Sequence, residues 1–106
     1  MEHELKIYPK YFEDVILGKK TFEIRKNDRK YCVGDVLLLK EWDNIKYSGQ
    51  EAKAEVIYLL DDRFIGIQPG YVVMGIELVT EDLRELLDEK AQNVTETNDD
   101  DGVYFP

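Results

Sequence analysis

At Gly18 the hydrophobic period of the chain drops from 3.6 residues to 2, and no other feature restricts the fold as much. Before it, Phe12, Val15 and Ile16 recur at helical spacing behind Pro9, a residue suited to the first turn of a helix. Tyr8 must stay extended because a proline follows it, and Gly18 is available as a left-handed stop. After the glycine, Phe22 and Ile24 alternate with Thr21, Glu23, Arg25 and Asn27, the pattern of a strand with one apolar and one charged side. The charged side is expected to line an open groove that solvent can reach.

The remaining chain reads as further short strands. His3 to Ile7 alternates, with Leu5 and Ile7 on one side and Glu4 and Lys6 on the other. A polar loop from Asn27 to Lys30 and a tight turn at Val33-Gly34-Asp35 lead into Val36 to Leu39, a run apolar enough for burial on both faces. Lys40 to Asp43 closes that strand, Tyr47-Ser48-Gly49-Gln50 resembles a hairpin turn, and Ala52 to Leu60 forms the next strand. Asp61 to Ile67 is expected to be a loop or single helical turn, and Gln68-Pro69-Gly70 precedes a strand from Tyr71 to Leu78. Thr80 can cap a short helix over residues 81–90, whose stripe is Leu83, Leu86 and Leu87. Residues 91–106 are polar and acidic, the composition of a disordered tail.

With 106 residues there is room for one domain, placed at residues 1–80. Five to six mostly antiparallel strands, one helix after the first strand and a short C-terminal helix make an α+β protein, and such short strands remove their edges best by curling into a small β-barrel.

Charge is distributed unevenly. The chain carries -9, yet Lys19, Lys20, Arg25, Lys26, Arg29 and Lys30 stand against only Glu23 and Asp28 in one twelve-residue stretch. Much of the acidity lies beyond residue 80, where nine acids face Arg84 and Lys90. A local reversal of sign suits an anionic ligand, of which phosphate-bearing molecules are the commonest. Cys32 is the single cysteine and His3 the single histidine, so no intramolecular disulfide, no metal cluster and no cofactor is expected. No apolar run approaches the roughly 18 residues of a membrane span, and the amino end lacks the pattern of a signal peptide. The expectation is a cytoplasmic protein without a membrane partner, taken as a monomer.

Gly18-Lys-Lys20-Thr-Phe-Glu23-Ile-Arg25 fits a G-x-K-x-x-E-x-R pattern and resembles the ASCH domains of the PUA-like superfamily. The similarity extends over residues 3 to 77, through Tyr11-Phe12, Gly34-Asp35, Tyr47-Ser-Gly49 and Gly70-Tyr-Val-Val-Met-Gly75, and this fuller set resembles a small bacterial and phage branch of the ASCH-like proteins. The resemblance implies a PUA-like barrel with a helix beside it and a cleft for RNA or a nucleotide-like ligand. Lys20, Glu23 and Arg25 would be the centre of that cleft, with Asn27, Asp28, Arg29 and Lys6 around it. Arg25 suits a phosphate bidentately, Glu23 can accept from a base amino group or ribose hydroxyl, and Trp42 or Tyr71 offers a ring for stacking. On this reading Arg25→Ala weakens binding without unfolding the domain.

Other readings stand beside it. Glu23 and Arg25 can form a solvated surface pair, His3 a structural or idle imidazole, Trp42 and Tyr71 packed rings, and Cys32 a small buried hydrophobe. One ASCH-like family hydrolyses acylated cytidines with a lysine and a threonine at the helix-strand junction. Lys20 matches the lysine, but Glu23 stands in the threonine's place and Thr21 is displaced by two. A carboxylate beside Lys20 favours the ammonium form, the wrong one for a general base. The third reading is a protein-interaction module whose acidic tail mimics nucleic acid.

Overall fold

The alternation at the amino end forms the first strand, β1 (Glu2–Ile7), which buries His3, Leu5 and Ile7 and leaves Glu2, Glu4 and Lys6 in water. A computed structural model describes residues 1–79. Tyr8, extended at φ -65° and ψ 150°, hands the chain to helix α1 (Pro9–Ile16), whose apolar stripe buries Tyr11, Phe12, Val15 and Ile16. Phe12 has no exposed surface, a burial contributing about 2 to 3 kcal/mol. Gly18 ends the helix at φ 76° in a Schellman closure: its N–H donates to Val15 O and that of Lys19 to Asp14 O. The Lys20 N–H also donates to Asp14 O, which fixes where the motif begins.

Four more strands follow, β2 (Phe22–Lys26), β3 (Val36–Trp42), β4 (Tyr47–Leu60) and β5 (Tyr71–Leu78). They join β1 in one sheet of order β1-β3-β4-β5-β2, curled into a half-barrel. β1 runs parallel to β3, and every other pairing is antiparallel. Leu37 and Leu39 of β3, Ala52, Ala54 and Val56 of β4, and Val72, Met74 and Ile76 of β5 fill the concave side, where α1 packs.

Three expectations are corrected. β3 is not buried on both faces: Leu37, Leu39 and Glu41 point inward and the alternate residues are half-covered, because none of the described residues forms a second layer outside the sheet. The hairpin turn is Asp43 to Lys46 rather than Tyr47 to Gln50. Asn44 adopts φ 81° there, and Asp43 Oδ1 accepts from the N–H groups of Ile45 and Lys46. Gly49, at φ 94°, lies inside the long strand β4 near the register shift between Lys40 and Trp42. Cys32 is exposed rather than buried.

Residues 61–67 form turns, as the sequence suggested. The expected helix over 81–90 and the acidic tail of 91–106 lie outside the described residues. Among the described residues, no helix is long and apolar enough to cross a membrane.

Candidate functional site

β2 is turned over relative to the sequence expectation. Phe22 and Lys26 are exposed, whereas Glu23 and Arg25 point into the concave side opposite Met74 and Val72 of β5. Lys20, Glu23 and Arg25 therefore come together, but beneath the surface, with 7%, 3% and 5% of their area exposed. Lys20 Nζ donates to Glu23 Oε1 at 2.8 Å and to Phe22 O at 2.7 Å, between the rings of Tyr11 and Phe22. Arg25 Nε donates to Glu23 Oε2 at 3.0 Å. One carboxylate thus holds two cations, the condition under which three charged groups can sit in an interior.

The expectation of an open groove lined by all three is corrected accordingly. A short alternating segment carries no sign for inside and outside, and here the pleat opposite Met74 and Val72 sends the charged set inward.

Arg25 also reaches across the sheet. Its Nη2 donates to the Lys6 carbonyl at 2.9 Å, and Arg29 Nη1 donates to the Glu4 carbonyl at 2.6 Å. β1 and β2 are the two edges of the sheet, so these guanidinium groups span the gap where the curled sheet does not close on itself. Glu4 and Lys6 are two apart, and their carbonyls leave β1 on the same side.

Over this seam lies a cleft of about 380 Å³. Arg25 is at its base, Lys6, Arg29 and Lys40 line it as cations, Glu4 and Asp28 as acids, and Tyr31 and Tyr47 as aromatics. Of the residues named from sequence, Lys6, Arg25, Asp28 and Arg29 meet there, while Lys20 and Glu23 lie outside the lining. Asn27 serves the loop: its Oδ1 accepts the Tyr31 N–H at 3.2 Å, and its N–H donates to Gly70 O. Thr21 is exposed at the helix-strand junction, its carbonyl accepting from Ile76 N–H.

The two aromatic candidates are elsewhere. Trp42 stacks on Tyr8 at 6.2 Å between centroids, with Lys6 Nζ 4.5 Å from its ring, and Tyr71 is half-buried opposite Lys26. The sequence reading missed Lys40 and Tyr47, which approach one another at 5.4 Å. Lys40 lies directly across from Lys6 in the parallel β1–β3 register, a relation that only the strand pairing reveals.

Behind the cleft, His3 Nε2 and Asp35 Oδ2 share a hydrogen bond of 2.8 Å, and the Tyr31 ring meets the imidazole edge-on at 4.8 Å. The histidine is thus a paired structural residue. The bond from His3, helped by the Cys32 N–H and the terminal amino group, holds the Asp35 carboxyl below the usual carboxylate range. Burial pushes the Tyr31 phenol up, and the guanidinium groups of Arg29 and Arg25 partly oppose that.

Comparison with known proteins agrees with the extent of this fold. An uncharacterized 12.9 kDa protein in the GpA 3' region of Escherichia phage P2 is 42% identical over 59 residues. That match covers 56% of this chain and 54% of the phage protein, so the chain spans about half the length of that relative. The family model described as "Domain of unknown function (DUF3850)" matches residues 2–76, from the first residue of β1 into β5. Strands β1 to β4, most of β5, the helix and the arginine-bridged seam lie within that match, and the chain belongs to the DUF3850 family.

Proposed function

We propose that the protein is a binding module for RNA or a nucleotide-like ligand, of the PUA-like, ASCH type that the G-x-K-x-x-E-x-R residues resemble, acting in the cytoplasm. The observation that carries this reading is the convergence of Lys6, Arg25, Arg29 and Lys40 with Tyr47 on one cleft. Its volume is within the usual range of small-ligand sites, roughly 300 to 1,000 Å³. Arginine and lysine there offer donors to phosphate, the half-exposed Tyr47 offers a face to a base, and the carboxylates of Glu4 and Asp28 can accept from ribose hydroxyls or base amino groups. Lys20 and Glu23 support the cleft from below by fixing Arg25.

The hydrolytic alternative is less favoured by this geometry. Lys20 would have to leave both Glu23 and the Phe22 carbonyl before it could touch a substrate. The test is fluorescence anisotropy with a labelled short single-stranded RNA across a salt series. The expected log-log slope is about -0.7 for each phosphate contacted. A flat response, or unchanged affinity when Lys6 and Lys40 are both replaced by alanine, rules the reading out.

A further inference from the structure

The outer face of the sheet is divided into two unlike halves. Over β1, β3 and the adjoining part of β4 it carries ion pairs: Lys53 with Glu2 at 3.3 Å, and Lys40 between Glu4 and Glu51 at 3.9 and 3.8 Å. Over β2, β5 and the far part of β4 it is apolar. Phe22 and Tyr58 lie in register on either side of Gly75 with 38% and 64% of their surface exposed, and Ile24, Val73 and Leu60 form the next row. Ile57, outward like Glu51, Lys53 and Glu55, enlarges the patch, and the register shift between Val56 and Tyr58 turns Tyr58 outward beside it. Gly75 adds nothing between the rings, and a Cβ there would come within 3.2 Å of Tyr58 Cβ. Contiguous apolar surface of this kind marks a docking site.

Charge at its two ends says what docks. At one end Glu55 and Glu77 stand directly opposite one another across β4 and β5, an unfavourable pairing within a single chain. At the other end Lys26 stands opposite Tyr71. None of Lys26, Glu55 and Glu77 has an ion-pair partner among the described residues. Tyr71 and Glu77 are six residues apart on β5, about 20 Å, so their midpoint falls between Val73 and Gly75, inside the apolar patch.

From this arrangement we infer that the face binds a second copy of the chain. A two-fold axis running across the strands near Val73 and Gly75 reverses the strand direction of the partner. It lays apolar rows on apolar rows at the roughly 10 Å spacing of packed sheets. The same rotation carries each Lys26 to the Glu55–Glu77 pair of the other copy, as a self-complementary interface requires. The cleft sits over the seam between β1 and β2 and is lined by none of Phe22, Ile24, Tyr58, Leu60 and Val73, so the inference does not depend on what the cleft binds.

Sedimentation velocity on the full chain across a concentration series tests it. A monomer–dimer equilibrium is expected, shifted to monomer by Tyr58→Glu with unchanged circular dichroism. Lys26→Glu weakens dimerisation roughly tenfold, equivalent to about 1.4 kcal/mol, and adding Glu77→Lys restores it. A full chain that stays monomeric at every concentration overturns the inference, whatever else covers the face. So does a dimer unaffected by folded Tyr58→Glu and Lys26→Glu variants.

Discussion

Arg25 and Glu23 form a buried pair in which the carboxylate orients the guanidinium and the guanidinium joins two strands that the ladder leaves apart. Arg25→Ala removes the seam bond and leaves Glu23 with the Lys20 ammonium as its cation. We expect a loss of about 3 to 5 kcal/mol in urea denaturation, the usual cost of breaking a buried ion pair from one side. Arg25→Lys keeps the charge without the planar fork and recovers only part of that loss. This adds a stability cost to the expectation that Arg25→Ala weakens binding without unfolding the domain; a variant as stable as the parent shows that the pair does not stabilise the fold.

Arg29 is the exposed counterpart. Its side chain meets the Glu4 carbonyl at the cleft margin, so Arg29→Ala should cost under about 1 kcal/mol in stability. RNA affinity should fall, and the log-log salt slope should shrink by about 0.7 if one phosphate contact is removed. Paired denaturation and anisotropy measurements separate the two effects, and an unchanged slope removes Arg29 from the phosphate contacts.

Asn27 acts on the cleft through the loop rather than through a ligand. Asn27→Ala leaves the Tyr31 N–H without its acceptor and should cost about 1 kcal/mol. Loss of affinity without change in salt slope is the expected signature. A reduced slope instead assigns Asn27 a place beside a phosphate.

The pH dependence has two limbs. The Asp35 carboxyl is lowered in the folded protein, so its contribution to stability is present above the unfolded value of about 3.9 and is lost as pH falls through the folded value. The Tyr31 phenol is raised, so its contribution is present below about 10 and is lost as pH rises toward the folded value. Thermal melts across pH should therefore show a shallower acid limb for Asp35→Asn and a shallower alkaline limb for Tyr31→Phe. Limbs identical to the parent's dissociate these two groups from the titration.

Much of the local structure was legible, because it depends on neighbours in sequence. Pro9, the Phe12-Val15-Ile16 stripe and Gly18 specify α1, and Gly34 at φ 96° occupies the turn expected at Val33-Gly34-Asp35. The Asp43-Asn44 turn was equally written, but Ser48-Gly49 offered a stronger-looking turn signal nearby. What the sequence did not disclose depends on pairing at a distance. His3 and Asp35 are 32 residues apart, and Lys40 joins Lys6 only through the parallel register. The orientation of β2 was also hidden, since a five-residue alternation shifted by one exchanges its faces, and only Val72 and Met74 opposite it decide which set turns inward.

Two guanidinium groups, rather than a ladder of backbone hydrogen bonds, fasten the edges of this sheet together. That fastening can be undone without separating any neighbouring pair of strands, so the girth of the half-barrel and the cohesion of its wall are governed by different bonds. Widening the mouth requires moving side chains; dismantling the wall requires unfolding.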